Sequence, residues 1–159
     1  MTPSLLQDAL VEELRRLFCG KKYKNTNGES VALNIFKQHV PLARYGNDDM
    51  TAAIPYLLVS LDSWSQTAST DATECKVIIL ASVFDDSEEM QGHKDLLNII
   101  EDIYLHLRKH HIIAKTFRMQ HPIEAALSDE DTFPFFFGAI ETNYYLPNVY
   151  GNPKGDDNI

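Results

Sequence analysis

"CKVIILASVFDD", Cys75–Asp86, is the stretch on which the fold turns. Side chains alternate along a strand, so Val77, Ile79, Ala81 and Val83 share one face and Ile78, Leu80 and Phe84 the other. A strand apolar on both sides belongs at the centre of a sheet, covered twice.

Working upstream, "SQTASTDATE" (Ser65–Glu74) is a small polar loop. Before it, "PYLLVSLDSW" (Pro55–Trp64) alternates Leu57, Val59 and Leu61 against Tyr56, Leu58 and Ser60. "LARYGNDDMTAA" (Leu42–Ala53) reads as a loop, and "VALNIFKQHV" (Val31–Val40) as one strand ended by Pro41. "KKYKNTNGES" is a polar turn region. Thr2 and Pro3 fit the N-cap and first position of a helix carrying Leu6, Ala9, Leu10, Leu14, Leu17 and Phe18, with Gly20 as its stop.

Downstream, "DSEEMQG" leads into a second helix. Leu96, Leu97, Ile100, Ile103, Tyr104 and Leu107 form its stripe, and Asp95, Asn98, Glu101 and Asp102 lie opposite. A short strand over Lys115–Met119 stops before Pro122 and an acidic loop. "DTFPFFFGAIETNYY" (Asp131–Tyr145) supplies the closing strand. The predicted order is α-β-β-β-α-β-β, an α+β fold of about five mostly antiparallel strands with two long helices mainly on one face. Residues 1–148 form one domain, and 149–159 a polar, flexible tail.

Five strands at about 4.8 Å span about 24 Å, and a helix covers about 10 Å of that width. Two helices side by side therefore cover about one face. The other face also carries apolar groups, on one parity or the other Tyr56, Leu58, Ile78, Leu80 and some of Phe135, Phe136 and Phe137. Either the helices divide between the faces and each leaves a gap, or loops fold over one face, or that face meets something outside the chain.

Composition narrows the function classes. The net charge of −9 argues against a protein that grips nucleic acid through phosphates, and "KKYK" and "RKHH" are the only basic clusters. An acidic surface instead suits a protein held near DNA without sticking to it. No run of eighteen apolar residues is present, so no membrane span is expected. The N-terminus is amphipathic and acidic, unlike a secretory signal. Cys19 and Cys75 lack the spacing of a zinc site and read as reduced thiols. Asp85, Asp86, Glu88, Glu89, His93 and Asp95 form the one acidic group that would suit a metal-dependent hydrolase. Acidic residues before a helix are equally expected from its dipole. No phosphate-binding glycine loop or nucleophile elbow exists, so neither an enzyme nor a cofactor is predicted.

The ordered motifs add a resemblance. "PYLLVSL", a strand closing at Phe84 and Asp85, Gly92 with Asp95, Leu97, Glu101 and Ile103, then Phe136, Phe137 and Gly138, with Leu146 and Pro147, together resemble the tail-terminator (tail-completion) family of long-tailed bacteriophages. Phe84 stands where that family more often has tyrosine, and "ETNYYLP" replaces a tryptophan-containing ending. The resemblance implies a structural virion protein at the head–tail junction. It would form a six-membered ring that caps the tail tube, stops its polymerisation and offers the head a docking surface. Its partners would be copies of itself, the tail tube protein and a head-completion or neck protein, with DNA passing through the lumen unbound. A head-side neck or stopper protein is one alternative, and a small metal-dependent hydrolase using Asp85, Asp86 and His93 is the alternative of another class. Candidate subunit or tube contacts are Arg44, Tyr45, Asp48, Asp49, Trp64, Leu80, Phe135, Phe136 and Phe137. The loops Arg44–Met50, Ser65–Glu74 and Ser128–Asp131 are candidates by placement.

Overall fold

A computed structural model describes residues 2–41, 50–89 and 91–148. Arg44, Tyr45, Asp48, Asp49 and the tail 149–159 lie outside the described residues. The chain is α+β, with a six-stranded mixed sheet, a separate two-stranded hairpin and two long helices.

Helix α1 (Pro3–Leu17) opens as its sequence predicts: the Thr2 hydroxyl accepts from the Leu5 N–H, and Pro3 takes the position whose N–H has no helical partner. Leu6, Leu10 and Leu14 are fully buried, each stabilising the fold by roughly 1.5–3 kcal/mol relative to exposure. Helix α2 (His93–Lys109) buries Leu96, Ile99, Ile100, Ile103 and Leu107. Leu97, assigned to the buried stripe from the sequence, is exposed, and Ile99 replaces it.

The main sheet runs β3 (Asn34–Lys37), β4 (Tyr56–Ser65), β5 (Thr73–Phe84), β8 (Phe135–Leu146), β7 (Phe117–Leu127) and β6 (Ile112–Ile113). Only β3–β4 is parallel. Strand β5 is central and pairs with β8 over twelve unbroken positions, Thr73↔Leu146 to Phe84↔Phe135. Both helices pack into one core with Leu57, Val59, Val77, Ile79 and Ile140, all of one sheet face. One close approach needs glycine and a second is tight around another. A Cβ at Gly92 would meet the Phe136 ring and lie 2.7 Å from the Asp85 Cβ, and one at Gly138 would lie 3.1 Å from the Ala126 carbonyl of β7.

Several predicted elements are corrected. The sheet has six strands rather than five, and the polar region at Lys21–Ser30 contributes a hairpin, β1 (Lys22–Lys24) with β2 (Ser30–Ala32). Val31–Val40 is therefore two strands. Asn34 diverts the chain into the main sheet, its N–H donating to the Pro55 carbonyl at 3.0 Å and its amide to Ala53 at 2.8 Å. The short strand at Lys115–Met119 is instead β7, which continues past Pro122 to Leu127. Its register on β8 slips between Gln120 and Glu124, so the missing proline N–H interrupts no ladder bond. Finally, β6 is joined to β7 by a tight turn with positive φ at Ala114 and Lys115, a geometry normally signalled by Asn or Gly.

Cys75 is fully buried and burial pushes its thiol up to about 11, whereas Cys19 is exposed at the end of α1. The helices are joined by His106, whose Nε2 lies 2.9 Å from Glu13 Oε1, and Arg16 also donates to Glu13. Burial raises the Glu13 pKa, but the hydrogen bonds from His106 and Arg16 outweigh it and hold the carboxyl below its ordinary 4.5. A depressed carboxyl contributes stability above its unfolded value and loses it as pH falls through the folded one. Glu13→Gln should therefore cost about 1–3 kcal/mol near neutral pH, with the difference from the parent shrinking below pH 4.5. Urea denaturation across pH checks this; a gap that stays constant with pH would contradict it.

Candidate functional site: the open face of the sheet

The unbroken β5–β8 register decides where the phenylalanines point. Phe136 pairs with Val83, on the helix-bearing side, and its ring packs over Gly92 at the start of α2. Phe137 pairs with Ser82 and Phe135 with Phe84, on the opposite face. Among the described residues, no helix covers that face.

Across it the registers align one apolar rung over five strands: Phe36, Leu58, Leu80, Ala139 and Ala126. At about 4.8 Å per strand the rung is about 19 Å wide. Leu80 is 38% exposed at its centre. Leu80, Ala126, Leu127, Phe137 and Ala139 line a shallow hollow of about 240 Å³. Towards one end, the mutually tilted rings of Phe84 and Phe135, with centroids 5.7 Å apart and Lys24 over Phe84, bury part of the face. Towards the other end the next rung turns polar, with Ser60, Glu141 and Glu124 around Ile78, and Lys76 lies 3.9 Å from Glu141. An apolar band with a polar rim has the character of an interaction surface.

Leu80, Phe135 and Phe137 thus share the open face, and Phe136 does not. Trp64 is 57% exposed at the end of β4, beyond a register shift, and pairs with Cys75 on the helix-bearing side. It lies apart from the Leu80 band. The loop Ser65–Glu74 is tethered at one end of the sheet, where Asn148 donates to the Ser69 carbonyl at 2.9 Å. Ser128–Asp131 lies at the opposite end together with Asp85, whose N–H donates to the Pro134 carbonyl at 2.9 Å. Strand parity already groups Leu58 with Leu80, whereas Ala126 and Ala139 escape the sequence reading because only cross-strand register places them beside Leu80.

The acidic group does not converge. Asp85 accepts from the Ser87 N–H at 2.9 Å, and Asp86 pairs with Lys24 at 2.8 Å in the open. That hydrogen bond from the Lys24 ammonium holds the Asp86 carboxyl below the usual range. Among the described residues no three His, Cys, Asp or Glu side chains come together as a metal site. Nor is any helix among them long and apolar enough to cross a membrane.

No protein-family model matches the chain, and no curated protein does either.

The two faces make separable demands. Leu80→Asp adds a charge at an exposed position and should leave the thermal midpoint within a few degrees of the parent. Phe136→Asp places a carboxylate against α2 and should cost at least about 2 kcal/mol. Differential scanning calorimetry of both variants tests the assignment; equal destabilisation would reverse or erase it.

Proposed function

We propose that this chain is a ring-forming tail terminator of a long-tailed bacteriophage. The observation that carries the reading is the apolar band through Leu58, Leu80 and Ala139 on the sheet face that neither helix covers. In a head-to-tail ring each subunit presents such a band to a different surface of its neighbour, and the contact closes on itself when the rotation is right. The motif order from Pro55 to Pro147 supports the same reading, with the aromatic-Gly strand as β8 and "GHKDLLNIIEDI" as the start of α2.

In this reading a six-membered ring caps the tail tube and ends its growth, and its other side receives the head. The excess of carboxylates keeps the lumen from gripping DNA in transit, since like charges repel at short range. The role is structural rather than catalytic.

Light scattering on the purified chain, followed by negative-stain imaging, should give a mass of several subunits and a ring. Leu80→Asp should shift the mass towards monomer while circular dichroism stays unchanged. Co-expressed with tail components, the protein should purify with tail tubes. Recovery with DNA-filled heads instead would make it a head-side neck protein. A parent that stays monomeric at high concentration and on tubes would remove the reading.

A further inference from the structure

The edge of the sheet away from the open face carries a second surface. Strand β6 covers only Phe117 and Arg118 of β7, and a single further bond joins the Met119 N–H to the His111 carbonyl at 2.7 Å. From Gln120 to Leu127 the outer edge of β7 has no strand partner among the described residues. Its last four residues, Glu124, Ala125, Ala126 and Leu127, are all exposed although three of them are apolar. Alternate residues of such an edge direct their N–H and C=O groups outward, as a ready template for another strand.

Between this edge and α2 runs a trough with two chemically distinct parts. One part, about 460 Å³, is mostly apolar and is lined by Leu97, Ile100, Tyr104 and Leu105 of α2 with Ile123 and Ala125 of β7, and Glu101 is its single charged residue. Leu105 is 60% exposed there. The other part, about 450 Å³, gathers Arg108 and His111 from the end of α2 with Arg118 and His121 of β7. The Arg108 guanidinium lies 5.5 Å from the centre of the Tyr104 ring, which joins the two parts.

The charge at this end runs against the rest of the molecule. Residues 103–123 contain four Lys or Arg, four His and no Asp or Glu, in a chain of net charge −9. Six Lys or Arg among the described residues have no carboxylate partner, and Arg108, Lys109, Lys115 and Arg118 are four of them. The dipole of α2 accounts for cations at its own C-terminus, but not for Arg118 and His121 on a neighbouring strand. Pro122 and Glu124 blunt the edge locally, yet they leave Ala125–Leu127 bare.

We propose that the β7 edge and its trough bind an extended polypeptide segment of another protein by strand addition. Its backbone continues the sheet along Glu124–Leu127, alternate apolar side chains enter the trough beside Leu105, and carboxylates reach Arg108 and Arg118. Backbone groups, an apolar slot and a cationic end lie in one line, and only a polypeptide answers all three. Antiparallel addition, the more stable pairing, puts the acidic residues at the C-terminal end of the segment. The inference rests on the β7 edge and the α2 trough rather than on the Leu80 band, and it meets that band only at Ala126 and Leu127, which also line the hollow beside Leu80.

The test uses the full chain and a fluorescein-labelled synthetic peptide, Val-Thr-Val-Thr-Val-Ser-Asp-Glu, followed by anisotropy at low and moderate salt. Saturable binding is expected. Arg118→Glu, at an exposed position without a partner, should weaken it at least tenfold and leave the circular dichroism spectrum unchanged. Alternate N-methylation of the peptide should weaken binding by a similar factor, and amide NMR shifts should concentrate at Glu124–Leu127. Equal binding of the N-methylated peptide would overturn strand addition. Tighter Arg118-dependent binding of an oligodeoxythymidine than of the peptide would make the site a phosphate surface and overturn the proposal. So would an Arg118-dependent dimer that excludes the peptide.

Discussion

The twelve-residue pairing of β5 with β8 is the constraint from which the rest follows. Because no bulge interrupts it, the parity of one strand dictates the parity of the other. Val77, Ile79 and Ala81 must face the helices to build a core, so Thr142, Ile140 and Gly138 face them too. Gly138 then lets β7 come close, and Gly92 lets the Phe136 ring close the start of α2. The same parity leaves Leu80, Phe137 and Ala139 on the far side, where the chain has spent both of its long helices elsewhere. The register therefore fixes which residues lie on the open face, and their apolar character is a property of the sequence itself.

The central strand, the helix stripes and the α+β class were legible because each rests on local periodicity. Parity within Cys75–Asp86 separated Leu80 from Ile79 correctly, but it left undecided which face the helices would take. Phe135, Phe136 and Phe137 could not be sorted at all without knowing that Phe136 stands opposite Val83. What the sequence concealed was non-local or disguised. The β6–β7 turn uses Ala114 and Lys115 where Asn-Gly would have announced it. Pro122 reads as a strand end unless the register slip beside it is known. Val31–Val40 looks continuous until Asn34 is seen to bond with Pro55 and Ala53.

Two surfaces of unlike character result, and they meet at Ala126 and Leu127. The band across Leu58, Leu80 and Ala139 is broad, shallow and nearly uncharged, suited to a flat partner. The trough beside β7 is narrow and directional, with a backbone ladder on one wall and cations at one end.

The unequal burial of the two cysteines has a practical corollary. Cys75 lies inside the core with its thiol held protonated, so a maleimide dye meets only Cys19 at the end of α1. Each chain therefore accepts one label without any engineering, at a position outside both the Leu80 band and the β7 trough. Photobleaching steps from a single particle would then count its subunits directly.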